Sequence, residues 1–264
     1  MKNTVILATI LLLAGCRDKS SQTSNNTPAG IKEIALEEIW DGTFSPERMN
    51  ALNSMNGDFY SLLNTDKESG FNTVDTYSYA TLEKVATIVS SKNLIDLPSF
   101  SSYSFNNDET KIILGTDFKK IYRRSFSGTF YAYDISSKKL NLIGKNIQEP
   151  IFSPDNKKVA FAKDNNIFIK DFSRNKTTQI TKDGKKNSIL NGITDWVYEE
   201  EFGFVRAFEW SNNSKYLAFL RFDETNVPTF SMDMMGKENY PDQQIFKYPK
   251  AGEKNADVTL HMFT

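Results

Sequence analysis

A ten-residue pattern recurs along this chain at intervals of about fifty residues, and no other feature of the sequence limits the fold as strongly. Its clearest copy is Phe152-Ser153-Pro154-Asp155-Asn156-Lys157-Lys158-Val159-Ala160-Phe161. It reads as a strand end, a tight turn and a second strand. Trp210-Ser211-Asn212-Asn213-Ser214-Lys215-Tyr216-Leu217-Ala218-Phe219 repeats it position for position. So does Phe105-Asn106-Asn107-Asp108-Glu109-Thr110-Lys111-Ile112-Ile113-Leu114. A weaker copy starts at Leu52, with Asn56-Gly57-Asp58 as the turn and Phe59-Tyr60-Ser61-Leu62 after it. The starts at 52, 105, 152 and 210 lie 53, 47 and 58 residues apart.

A second strand pair follows the turn. Thr129 to Asp134 leads through Ser136-Ser137-Lys138 into Leu140 to Ile143, and Asn166 to Asp171 leads through Ser173-Arg174-Asn175 into Thr177 to Ile180. Two hairpins per repeat make a four-stranded antiparallel unit, the blade of a β-propeller. A β-sandwich also has short strands between polar turns, but it does not repeat a ten-residue pattern at near-constant spacing. The expectation is an all-β chain, a partial propeller of about four blades. Four blades are few for a closed ring, so the chain reads as an arc of a larger one. Asp257 to Phe263 reads as a strand left without partners.

Composition agrees with this reading and closes other routes. Aromatic residues reach 13%, an excess that favours strands. A net charge of -1 removes any general affinity for nucleic acid. No Gly-rich phosphate loop or metal-ligand cluster is present, and Asp155, Asp171 and Asp183 read as turn or strand-end residues. No cofactor or metal is implied.

The first sixteen residues read as a targeting segment. Lys2 supplies a positive start, and Val5 to Ala14 is an apolar stretch too short to span a bilayer. It ends Leu13-Ala14-Gly15-Cys16, which resembles a bacterial lipobox and implies lipidation of Cys16. A lone Cys in an exported chain has no disulfide partner, which fits. Residues 17–35 read as a flexible polar tether. The expected location is outside the cytoplasm, anchored to membrane and facing the periplasm or cell surface of a bacterium.

Between the third and fourth repeats lies an insertion, Asn191-Gly192-Ile193-Thr194-Asp195-Trp196-Val197-Tyr198-Glu199-Glu200-Glu201-Phe202-Gly203. Function concentrates in such insertions. Three consecutive carboxylates can be a solvated helix face. If they point into a closed cavity they repel, and a cation must compensate them. The pattern alone leaves both open. Trp196 and Tyr198 read as packing beneath the acidic run.

The run from Asn191 to Glu201 resembles the signature segment of the dipeptidyl-peptidase IV branch of the prolyl oligopeptidase family. The similarity continues through Ala207 to Ser211, Leu217 to Glu224, Val227-Pro228 and Tyr248 to Gly252. Upstream, Tyr122-Arg123-Arg124-Ser125-Phe126 resembles that branch's Trp-Arg-His-Ser-Tyr stretch, with Arg124 departing from the His. The resemblance runs from about Leu36 to the end and makes 36–264 the N-terminal part of the propeller domain.

What the resemblance implies is specific. The family has an eight-bladed propeller capping an α/β-hydrolase domain and removes N-terminal X-Pro or X-Ala dipeptides from peptides. It acts as a homodimer. A short helical propeller insertion carries two adjacent Glu that bind the substrate's α-ammonium, here Glu200 and Glu201. An Arg, here Arg123, contacts a backbone carbonyl of the bound peptide. Glu199 is not used directly on the amine.

The nucleophile elbow Gly-x-Ser-x-Gly occurs nowhere in these residues, and the one His, His261, lies in a predicted strand. No catalytic residue is therefore expected in this chain, and the hydrolase domain is absent from it. One reading is the substrate-selecting portion of a peptidase. The other is a non-catalytic propeller lipoprotein that binds peptide N-termini or a protein partner.

Overall fold

The computed structural model describes residues 34–46 and 50–264. The targeting segment, Cys16 and residues 17–33 of the tether lie outside the described residues. The described residues before Asn50 belong to a unit of their own, in which a short helix, α1 (Leu36–Trp40), starts with Glu38 accepting the Ala35 N–H at 3.1 Å. Asn50–Thr264 form a second compact unit.

That unit opens with an antiparallel sheet of β1 (Leu52–Ser54), β2 (Phe59–Thr65), β3 (Asn72–Ser78) and β4 (Lys84–Ser90), hydrogen-bonded in chain order. Next come β5 (Ser102–Phe105), β6 (Lys111–Lys120), β7 (Phe126–Asp134), β8 (Lys139–Phe152), β9 (Lys158–Lys163), β10 (Asn166–Asp171) and β11 (Lys176–Gln179). These make one continuous seven-stranded path. It is two blades sharing a strand. The first half of β8 pairs with β7 as far as Ile147↔Gly128, and the second half pairs with β9 from Gln148↔Ala162 to Phe152↔Val159. Asn146 and Glu149, at φ 53° and 52°, stand at the changeover. Left-handed residues turn the strand out of one sheet plane and into the next. The sequence reads as separate strands at Leu140 and Phe152; the structure makes them one.

The fourth blade contains β12 (Ile189–Asn191) and β13 (Phe208–Trp210), with the helix α2 (Trp196–Phe202) between them, followed by β14 (Leu217–Asp223). A separate hairpin of β15 (Thr229–Met234) and β16 (Asp242–Lys247) intervenes before β17 (Asp257–Phe263). The strand expected to lack partners has one: β17 pairs with β14 from Leu217↔Phe263 to Asp223↔Asp257. The residues between them are occupied by a hairpin that pairs only with itself, so β14 keeps a free edge for β17 to close. That hairpin is not expected from the sequence reading.

The repeat is visible as chemistry. Asn106, Ser153 and Ser211 each accept, through a side-chain oxygen, the N–H five residues on. Glu109, Asn156 and Ser214, four residues after each repeat start, all adopt φ between 55° and 60°. Successive turns are also joined. Glu109 accepts the Asn56 N–H at 2.7 Å, Asn156 donates to Asp108 at 2.7 Å, and Ser214 Oγ accepts the Asp155 N–H at 2.9 Å.

Between neighbouring blades the strands bury both faces. On β6, Ile112 and Leu114 join a cluster with Val74, Val89, Leu97 and Phe100, while Ile113 joins Phe130, Ile147, Val159 and Phe161. On β9, Ala160 and Ala162 turn the other way, to Ile167, Phe208, Trp210 and Leu217. Period-two alternation thus feeds one core on each side of a blade, as face-to-face propeller packing requires.

Candidate functional site

The acidic run is helical because both ends are sealed. Asp195 caps the start of α2, accepting the Tyr198 N–H at 2.9 Å. Gly203 ends it at φ 74°, donating its N–H to Glu199 O at 3.2 Å. The insertion is tied at its base by the Ile193↔Arg206 bridge and by Thr194 Oγ1 donating to Phe204 O at 3.0 Å. Aromatic packing sets its pose. Trp196 lies 4.9 Å from Tyr248 and 5.7 Å from Phe246, and Tyr198 lies 5.0 Å from Phe222, ring centre to ring centre. Tyr198 packs against the core, as read from the sequence, while Trp196 packs against the aromatic residues that follow β15.

Consecutive helical residues point about 100° apart, so three glutamates in a row cannot share one environment. Glu199 is 1% exposed, and one of its oxygens accepts the N–H of Arg124 at 2.5 Å and of Ser125 at 2.9 Å. Glu200 is partly buried and Glu201 is exposed. The alternatives left open by the sequence, solvated face or compensated cavity, are each true of a different residue. Glu199 is compensated, by backbone N–H groups rather than by a cation.

The segment that meets Glu199 is the turn between β6 and β7. Ile121 donates its N–H to Ser125 O at 2.9 Å, and the Tyr122 N–H reaches Ser125 Oγ at 3.1 Å. Arg123 stands at the tip of this turn, largely exposed, with Nη1 3.3 Å from Glu200 Oε2. The structure therefore brings Arg123 and Glu200 together, with Glu201 one position further round the helix. Arg124 offers its backbone N–H to Glu199. Beside the Arg123–Glu200 pair opens a cavity of about 820 Å³, walled by Tyr122, Trp196, Met232 and Phe246.

Below α2 the environment is acidic and largely buried. Burial raises the Asp195 carboxyl pKa, and the N–H groups of Tyr198 and Val197 oppose that rise. Burial, followed by the nearby Glu224, Glu199 and Asp195 carboxylates, pushes the Tyr122 hydroxyl up to about 12, so it stays a neutral donor. Sequence reasoning missed the capping role of Asp195, the buried role of Glu199 and the hairpin wall at Met232 and Phe246. An Asp just before the aromatic pair and a Gly just after the run are legible cap signals. The contacts of Glu199 carry no sequence signal. His261 sits on the exposed strand β17, stacked 5.4 Å from Phe219, and is not part of this site.

The chemistry available is recognition of a cation by adjacent carboxylates, beside an Arg able to donate to a carbonyl. The family model for the dipeptidyl peptidase IV (DPP IV) N-terminal region matches residues 106–264. Prolyl endopeptidase FAP of Bos taurus is 33% identical over 247 residues, covering 92% of this chain and 31% of that protein. A probable dipeptidyl-aminopeptidase B of Talaromyces stipitatus is 31% identical over 253 residues, covering 89% and 26%. The crystal structure of Porphyromonas gingivalis dipeptidyl peptidase 4 superposes with a TM-score of 0.78 at 39% identity, covering 88% of this chain and 34% of that one. The chain thus spans about a quarter to a third of the length of the relatives it matches. By sequence and by fold, it belongs to the dipeptidyl peptidase IV N-terminal region family, the propeller portion of DPP IV-like peptidases.

Proposed function

We propose that this chain is the substrate-binding propeller portion of a serine exopeptidase that removes N-terminal X-Pro and X-Ala dipeptides from peptides. Glu200 and Glu201 bind the substrate's α-ammonium, and Arg123 donates to a backbone carbonyl of the bound peptide. The observation that carries this reading is the pairing of Arg123 with Glu200 on the wall of one cavity, with Glu201 exposed at the next position of the helix. An α-amino group titrates near 7.7 to 8.0, so it is mostly cationic at neutral pH, and two carboxylates favour that form further. Each charged hydrogen bond contributes roughly 1.5–3 kcal/mol. Arg123 is mostly solvated, so exchanging its weak surface pairing for a substrate carbonyl costs little. Fixing the ammonium at a set distance from the nucleophile leaves only the second peptide bond in reach, which makes an exopeptidase.

The Ser/His/Asp triad belongs, on this reading, to an α/β-hydrolase domain of the parent protein. Cys16 carries a lipid that holds the exported protein at a membrane. The parent is a homodimer on the same reading. The test is kinetic. In the parent, replacing both glutamates abolishes release of Gly-Pro, while hydrolysis of a small ester lacking an amine survives. Unchanged Gly-Pro release would return the acidic run to a structural role.

A further inference from the structure

Four carboxylates are buried among the described residues: Asp75, Asp195, Glu199 and Glu224. Three of them are satisfied. Asp75 accepts from Asn64, Thr73 and Thr87, Asp195 from the Tyr198 N–H, and Glu199 from the Arg124 and Ser125 N–H groups. Glu224, directly after β14 and 4% exposed, is the exception. Its carboxyl group makes no hydrogen bond and no ion pair among the described residues. Its backbone is fixed, with the N–H donating to Ser188 O at 2.8 Å and the carbonyl accepting the Val227 N–H at 3.1 Å. Lys247 does not serve as its partner, because that ammonium donates to the Val227 and Thr225 carbonyls at 2.7 and 3.3 Å. A buried carboxylate without donors is costly, so this one calls for a partner from outside.

Glu224 lines a cavity of about 720 Å³ whose charges are sorted by depth. Glu224 is buried, whereas Lys119, Lys185, Lys186 and Asp164 on the same walls are exposed. The accessible rim is therefore cationic and the interior anionic. Ile121, Leu190, Ile193 and Val205 supply apolar wall. A cavity of this size, with apolar walls and a few polar groups, suits a small molecule. An inorganic ion suits it less. Among the described residues no group of three or more His, Cys, Asp or Glu side chains could hold a metal ion, and the three lysines repel a plain cation.

We propose that this cavity binds an amino acid or short peptide with both termini free, its ammonium on Glu224 and its carboxylate at the rim lysines. The ammonium supplies the donors and the counter-charge that the buried carboxylate lacks, and favours its ionised form. The lysines neutralise the other end of the ligand, and the apolar walls take its side chain. Glu200 and Glu201 do not line this cavity, so the site is separate from theirs. Ile121, Tyr122 and Lys186 are nevertheless common to both cavities. A ligand here lies across the Tyr122 wall from the Arg123–Glu200 pair. The inference does not depend on the function proposed above.

Leucine, Leu-Leu and N-acetyl-Leu-Leu, titrated into the full chain, test this through the amide shifts of Gly184, Asn187 and Thr194, which line the cavity. Leucine or Leu-Leu is expected to move these amides, and the tighter of the two gives the length of ligand the site takes. Acetylation removes the ammonium and is expected to weaken binding about tenfold or more. Glu224→Gln is expected to weaken it as much, while the variant carrying both Glu200→Ala and Glu201→Ala stays within about twofold of wild type. Three results overturn the proposal: no shift with either unblocked ligand, equal affinity for the acetylated one, or shifts that potassium chloride alone reproduces. If Glu224→Gln does not fold, the position of the shifts in wild type decides. Shifts confined to Tyr198, Glu199, Glu200 and Glu201 would put the ammonium on the acidic run and overturn it; shifts at the cavity amides, lost on acetylation, support it. None of these readouts uses peptidase activity, so a failure here is separate from a failure of amine recognition in catalysis.

Discussion

One carboxylate oxygen of Glu199 accepts the backbone N–H of Ser125 at 2.9 Å, joining segments 74 positions apart in the chain. The same oxygen takes the Arg124 N–H. The helix with the acidic run and the turn with the arginine are thus fastened by a residue that is almost wholly buried. Preorganisation of the Arg123–Glu200 pair follows from that bond.

Glu199→Ala leaves two buried N–H groups without an acceptor, and is expected to destabilise the protein by about 2–4 kcal/mol. Glu199→Gln retains an acceptor oxygen and is expected to cost about 1 kcal/mol. Urea unfolding measures both. An Ala variant within about 0.5 kcal/mol of wild type would mean that the bond does not hold the helix to the turn.

On the proposed function, Glu200→Ala or Glu201→Ala in the parent protein is expected to lower kcat/KM for Gly-Pro amides by about 30- to 1000-fold, or about 2–4 kcal/mol. Arg123→Ala is expected to lose more activity than Arg124→Ala, because Arg124 contributes a backbone N–H that alanine retains. The opposite order would place the carbonyl contact on Arg124.

Asp75 makes the first blade sensitive to acid. Burial alone would raise its pKa, but Lys84, Thr87, Asn64 and Thr73 together outweigh burial and hold it below the usual value. Its Oδ1 lies 2.9 Å from Lys84 Nζ and accepts from Thr87 Oγ1 at 2.7 Å. A depressed acid stabilises the fold above its unfolded pKa, and that contribution is lost as pH falls through the folded pKa. Stability is expected to drop below about pH 4, with Asp75→Asn less stable at pH 7 by about 2 kcal/mol and flatter in acid. Thermal melts across pH would show this; parallel curves for the two proteins would refute it.

Ser214 tests the joints between repeats. Ser214→Ala removes the acceptor of the Asp155 N–H while keeping a side chain at φ 59°, and is expected to cost about 1–2 kcal/mol. Ser214→Gly loses the same bond but relieves the left-handed backbone, so it is expected to cost less. Equal losses in calorimetry would leave backbone strain out of the account.

If Cys16 carries the proposed lipid, Cys16→Ser is expected to move the protein from the membrane to the soluble fraction, because the acceptor for the lipid is gone. Membrane fractionation and a blot suffice. Equal membrane retention would mean that Cys16 is not the anchor.

Much of the fold was legible because it is local. The turns at Asn106, Ser153 and Ser211 close their own loops by side-chain bonds five residues long, so their spelling repeats wherever the turn repeats. The cap of α2 at Asp195 and its stop at Gly203 are equally local, within a few residues of the acidic run, although the sequence reading did not use them and drew the helix from the family resemblance. The merging of two blades through β8 was not legible. It depends on Asn146 and Glu149 adopting left-handed backbone between partners on two different sheets.

The sequence by itself determined the repeat, the turns, the place of the insertion and the order Glu199-Glu200-Glu201. Only the tertiary structure decided which glutamate is buried, because that depends on a turn 74 positions away presenting two N–H groups to one carboxylate. It also decided that β17 closes onto β14 while β15 and β16 pair with each other. Pairing between distant strands is chosen by which edge remains open, and an open edge is a property of the assembled sheet rather than of any segment.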